Sequence, residues 1–120
     1  MDPLRARDAA VARQDWKAAA TISEHELGDA EQAIEYWQRA CAVDAKDTAA
    51  LDGLERMYTA SARWSELADL LEHRLQLNPG KDESVILLRS LLSIYREQLA
   101  DDRMEQSTAQ RLLELTNSAE

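Results

Sequence analysis

Apolar residues recur along this chain at spacings of three and four, broken by short polar connectors, and two of the resulting segments repeat at a fixed step. Ala33, Trp37, Val43 and Ala45 in AIEYWQRACAVDA take the places of Leu67, Leu71, Leu77 and Pro79 in LADLLEHRLQLNP, each pair 34 residues apart. A repeat of that length predicts helical hairpins.

Helix ends can be placed from side-chain chemistry. Asp2 followed by Pro3 suits a start, because an Asx cap and a proline with preset φ both fit the first turn. No Gly or Pro interrupts the chain from there to Leu27, yet Gln14 and Asp15 ahead of Trp16 resemble an inter-helix turn; one long helix or two short ones satisfy the pattern. Gly28 tolerates the positive φ of a helix end, and Asp29 caps a helix over about 30–43. After the polar connector Asp44 to Asp47, Asp47 or Thr48 caps a helix to about Ala60 through Leu51, Leu54, Met57 and Tyr58. Ser61 to Arg63 is a tight link into Trp64–Leu77, where Leu67, Leu70, Leu71 and Leu75 share a side and Asn78, Pro79 and Gly80 end the helix. Asp82 to Ser84 open the most apolar stretch, ESVILLRSLLSIYREQLADD, helical to about Leu99, and a last helix runs from about Asp102 to Thr116 with Asn117 and Ser118 at its end.

A second symmetry overlies the first. TISEHELGDA and SIYREQLADD align at a shift of 72 residues, pairing Ile22 with Ile94, Leu27 with Leu99 and Asp29 with Asp101. Because 72 is twice 34 plus 4, the surplus belongs in loops or helix ends, and the third hairpin falls out of strict register.

Composition narrows the class. The chain has 120 residues, 45% hydrophobic and 31% charged, with three Gly, two Pro and no Phe. That supply of helix formers and shortage of turn and β-branched residues predicts a single all-α domain over 1–120 with about six or seven helices. No apolar run reaches the roughly 18 residues of a membrane span, so no membrane insertion and a cytoplasmic location are expected. Cys41, the only cysteine, reads as a small buried apolar residue. A net charge of −9 leaves nothing to neutralise a run of phosphates, which argues against nucleic acid.

With these residues in place, the chain resembles tetratricopeptide (TPR) repeats. Leu51, Leu54 and Tyr58 hold first-helix positions, Trp64 opens a second helix, and Leu67, Leu71 and Pro79 complete it. Ala33, Trp37 and Ala40 match the second helix of a preceding hairpin; Trp16, Ala19 and Ser23 match its first helix after a one-residue shift. Leu88, Leu91 and Tyr95 begin a third, whereas MEQSTAQRLLEL fits the pattern poorly and leaves the register of the last helix open. The resemblance implies a right-handed α-solenoid of antiparallel hairpins over about 13–43, 48–77 and 83–117. It also implies a protein-interaction scaffold gripping a partner in a concave groove lined by the first helices. Because Leu112, Leu113 and Leu115 cannot all face one hairpin, either an end surface stays apolar or the chain belongs to a longer array.

The groove rows follow from helical spacing: Lys17, Thr21 and Glu24 on the first, Asp52, Arg56 and Thr59 on the second, Arg89, Ser93 and Arg96 on the third. Four are basic and two acidic, so the expected partner is another protein or peptide of acidic character, with Arg56 and Arg89 as fork-shaped donors. The Lys and Asn pattern with which some TPR proteins clamp a chaperone tail is absent. Structural self-assembly is the alternative, a homo-oligomer formed through Ile86 and Leu87 on the apolar helix or through the array end. No catalytic residue, metal or cofactor is expected: His25 and His73 lack a second histidine at ligand spacing, no nucleophile pairs with a base, and no glycine-rich phosphate loop exists.

Overall fold

A computed structural model describes residues 2–117, which form seven α-helices and one π turn with no strand among them. The helices are α1 (Pro3–Ala12), α2 (Trp16–His25), α3 (Ala30–Val43), α4 (Thr48–Ala60), α5 (Trp64–Gln76), α6 (Lys81–Ser93) and α7 (Asp102–Asn117), with the π turn over Ile94–Gln98. The expected end at Ser118 lies outside the described residues. Two compact units result, 1–62 and 63–120. The hairpin expected over 48–77 thus has α4 in the first unit and α5 in the second.

In the first unit α1 packs on α2, α2 on α3 and α3 on α4. Aspartates start all four helices: Asp2, Asp15, Asp29 and Asp47 accept from the backbone N–H of Leu4, Ala18, Gln32 and Ala50 at 3.1–3.3 Å, satisfying donors that a helix start leaves orphaned. The chain breaks at Gln14, whose φ of 57° turns the backbone through the left-handed region, so two short helices form in place of one. The core is made of small residues against large ones. Ala19, Ala20, Ala33 and Ala50 are fully buried beside Ile34, Trp37, Leu51, Leu54 and Tyr58. Trp37 lies against Gly53, where a Cβ would sit 2.5 Å from Cε2 of the indole ring. Glycine in mid-helix costs about 1 kcal/mol relative to alanine; here it lets the ring rest on the α4 backbone.

Of the four positions repeated at 34 residues, the first two keep their role: Ala33, Trp37, Leu67 and Leu71 are all buried. Val43 does not, being 77% exposed. Cys41 is half-buried and not a core residue, and burial together with Asp47 and Asp44 pushes its thiol up.

In the second unit α5 packs on α6, α6 on α7, and the π turn on both α5 and α7. Leu67, Leu70, Leu71, Leu87, Leu88, Leu91, Ile94 and Tyr95 are buried. Along α7 the inward face is Met104, Thr108, Arg111, Leu112 and Leu115, while Leu113 points outward and is 53% exposed.

The 72-residue symmetry is reproduced in backbone hydrogen bonds. Leu27 N–H donates to Ile22 O at 3.0 Å and Asp29 N–H to Ser23 O at 2.8 Å; Leu99 N–H donates to Ile94 O and Asp101 N–H to Tyr95 O, both at 2.9 Å. Gly28 and Ala100 follow with φ of 63° and 49°. Asp29 and Asp101 then cap the next helix through Gln32 and Met104. The register of the last helix is set by this turn, since α3 begins at Ala30 and α7 at Asp102.

Two stability outcomes follow, both measurable by chemical denaturation. Gly53→Ala lowers stability by about 1–3 kcal/mol, because the clash with the indole ring outweighs the better helix propensity. Ala100→Gly raises stability by about 0.5–1 kcal/mol and Gly28→Ala lowers it by a similar amount, because only glycine adopts the left-handed region without a Cβ penalty.

Candidate functional site

Sequence spacing placed three rows of polar residues on three helices. In the first unit α2 turns Ala19, Ala20 and Ser23 inward, leaving Lys17 and Thr21 exposed, and α4 buries Leu51, Leu54, Met57 and Tyr58, leaving Asp52, Arg56 and Thr59 exposed. An open depression of about 460 Å³ lies against Asp52, Glu55, Arg56, Thr59 and Ala60. In the second unit Arg89, Ser93 and Arg96 are exposed on α6 and the π turn, opposite buried Leu88, Leu91 and Tyr95.

Glu24 departs from its row. Its side chain is only 9% exposed, and it ties three helices together. The Trp37 indole N–H of α3 donates to its Oε1 at 3.2 Å, while Arg56 of α4 donates from Nε to Oε2 at 2.6 Å and from Nη2 to Oε1 at 2.9 Å. One edge of the Arg56 guanidinium, Nε with Nη2, is therefore engaged inside the unit. The other cations are similarly occupied: Lys17 Nζ meets Asp47 Oδ2 at 2.9 Å, and Arg96 Nε donates to Glu105 Oε2 at 2.8 Å. Arg89 is different, with no ion pair among the described residues. The excess of positive charge read from the rows is thus largely neutralised by carboxylates on other helices.

The second unit holds a tie of the same chemistry. Glu72 of α5 accepts from Arg111 Nη1 and Nη2 of α7 at 2.9 and 2.8 Å, and from the Tyr95 hydroxyl at 3.0 Å. Arg111 Nη2 also donates to buried Thr108 at 3.3 Å. Sequence reasoning missed this group because Glu72 and Arg111 lie 39 residues apart and neither belongs to a recognisable spacing.

Neither a protein-family model nor a curated protein matches the chain.

Other expectations resolve residue by residue. Ile86 is 64% exposed while Leu87 is buried, so the pair proposed for self-assembly is split between surface and core. His25 is exposed beside Glu24 at 3.7 Å, and His73 is half-buried. Among the described residues no cluster of His, Cys, Asp or Glu could hold a metal ion, and no helix is long and apolar enough to cross a membrane.

The ties give stability a pH dependence. The Arg56 guanidinium, against the opposing effect of burial, holds Glu24 below the usual carboxylate value, and Arg111 does the same for Glu72. A depressed carboxylate contributes stability that is present above its unfolded value and is lost as pH falls through its folded one. Tyr95 works in the opposite direction: burial, then the adjacent Glu72 charge, pushes its phenol up to about 12. Its contribution is complete below an unfolded value near 10 and declines as pH rises toward 12. Thermal melts should show a plateau bounded by an acid limb below pH 4.5 and an alkaline limb above pH 10. Glu24→Gln should weaken the acid limb and cost about 1–3 kcal/mol at neutral pH, because Arg56 and the indole N–H lose a charged acceptor while solvent at the half-exposed guanidinium moderates the loss.

Proposed function

We propose that this chain is a TPR-like helical-repeat module, a right-handed array of antiparallel hairpins that binds a segment of another protein and performs no chemistry of its own. The observation that carries this reading is the contrast between the two sides of α2 and α4. One side is buried, with residues of the sizes that hairpin stacking requires, while the other displays Lys17, Thr21, Asp52, Arg56 and Thr59 with no apolar residue among them. A helix face left polar and unpacked is where a stacked array has side chains to spare for a ligand.

The Glu24 tie supports this assignment. By engaging Nε and Nη2, it fixes the Arg56 side chain in one rotamer while the outer Nη1 stays available, so a partner carboxylate would meet a donor whose conformational entropy is already spent. The same reading places the chain in the cytoplasm and makes its partner a protein segment of acidic character.

The test is a random-peptide selection on the full chain, with enriched peptides measured against a Thr21→Glu, Thr59→Glu double variant. Both threonines are exposed and lie outside the Glu24 tie, so the fold is left intact. Binding should fall about tenfold or more through charge repulsion. Peptides that bind both proteins equally would remove this face from the proposal.

A further inference from the structure

The turn shared at Gly28 and Ala100 puts positions 72 apart in correspondence, α2 with the end of α6 and the π turn, and α3 with α7. Where α3 faces α2 the two units agree: Tyr36 stacks on Trp16 and is buried, and its counterpart Thr108 is fully buried. Where α2 and α3 meet α4 they differ. Trp37 is buried and the Glu24 side chain is 9% exposed, whereas their counterparts Ala109 and Arg96 are exposed, the Arg96 side chain at 56%. No helix among the described residues of the second unit takes the place that α4 takes in the first.

Four side-chain contacts help to seat α4, and the second unit keeps two of the groups that make them and exchanges the other two. Lys17 meets Asp47, the cap of α4, at 2.9 Å, and in its place stands Arg89, again a cation. Gln38 Nε2 donates to the Tyr58 hydroxyl at 2.9 Å, and in its place stands Gln110. Trp37 rests on Gly53, but the small Ala109 replaces the indole. Glu24 accepts the Arg56 fork, but Arg96, of opposite charge, replaces the carboxylate. A helix matching this second seat therefore keeps the acid and the tyrosine of α4, and exchanges its glycine for a large apolar residue and its arginine for an acid.

We propose that the end of α6, the π turn and α7 form a docking seat for an amphipathic helix of a partner protein. That helix carries acids at the places of Asp47 and Arg56, a tyrosine at the place of Tyr58 and a large apolar side chain at the place of Gly53. The surface is separate from the α2 and α4 face and stands or falls without it. Its groups have capacity left for such a ligand. Glu105 engages Nε of Arg96 and leaves the outer edge of the fork, and Gln110 gives one N–H to Glu114 while its amide keeps a second N–H and an acceptor oxygen. Leu113, one turn beyond Ala109 and 53% exposed, extends the apolar floor under the large side chain.

The experiment is a two-dimensional NMR titration of the full isotope-labelled chain with two acetylated, amidated peptides at millimolar concentration. Both span residues 47–60 with Arg56→Glu, and one also carries Gly53→Leu. Saturable shifts at Arg89, Arg96, Ala109, Gln110 and Leu113 are expected, with the leucine peptide binding about tenfold more tightly and either Arg89→Gln or Arg96→Gln weakening it about tenfold. In Ala109→Trp the preference should reverse, because the indole leaves room only for glycine; the greater helix propensity of leucine cannot produce a reversal. All three substitutions are at exposed positions, and unchanged spectra elsewhere show that the fold persists. No shifts at these residues, or the same preference in Ala109→Trp, would overturn the seat. Shifts there on concentrating the chain without peptide would make it a contact between copies and overturn the partner helix. Shifts confined to Lys17, Thr21 and Thr59 would overturn the seat while leaving the α2 and α4 face standing.

Discussion

A carboxylate between helices needs donors in place of the water it loses, and each unit of this protein holds one that has them: Glu24, with its side chain 9% exposed, and Glu72, at 26%. Glu24 and Glu72 each accept a two-pronged arginine and one aromatic donor, and in each tie the glutamate and its two partners come from three different helices or turns. Removing such a charge from solvent is unfavourable unless hydrogen bonds replace the water. The geometry therefore permits little sliding: moving α4 along α2, or α7 along α5, would break two charge-assisted bonds together. Apolar packing alone tolerates small shifts of one helix over another. A fork meeting a carboxylate at 2.6–2.9 Å does not.

These ties act on helices whose separation is already set by small side chains. Ala19, Ala20, Ala33 and Ala50 are fully buried, and Gly53 admits the Trp37 ring onto the α4 backbone. The indole then has its ring on α4 and its N–H on the carboxylate of α2. Packing and polar bonding are thus joined in one residue. In the second unit the division of labour differs: leucines fill the interior, and Tyr95, carried on a π turn, brings its hydroxyl to Glu72. The paired turns at Gly28 and Ala100 show that two hairpins can share one backbone solution while their side-chain cores diverge.

What could be read from the sequence was whatever is encoded locally. Asp2, Asp29 and Asp47 mark their helix starts by chemistry acting over two or three residues, and the boundaries of α3 and α4 follow from the last two, whereas Asp15 reads from the sequence only as part of a turn and its cap on α2 is seen in the structure. The exposed rows were legible for a similar reason, since a period of 3.6 separates buried Leu54 and Tyr58 from exposed Asp52, Arg56 and Thr59. Hidden were the features set by distant partners. Glu24 looked like a groove residue because its spacing fits the row; only Trp37 and Arg56, supplied by other helices, draw it inward. The π turn at Ile94–Gln98 was invisible because the apolar pattern of LLSIYREQL is the same for an α-helix, and Ala100 carries no glycine to announce its positive φ.

This pattern of hidden pairing changes what the surface offers to a partner. Counting charges along the rows gives four cations, but three are satisfied by Asp47, Glu24 and Glu105 before any ligand arrives. A partner that displaced them would have to break a formed ion pair for each new one, with little net gain. The discriminating contacts are then the groups the fold leaves without an answer. On the α2 and α4 face those are the outer Nη1 of Arg56, outside its tie to Glu24, and the remaining lone pairs of the Thr21 and Thr59 hydroxyls, each of which spends its proton on a carbonyl of its own helix.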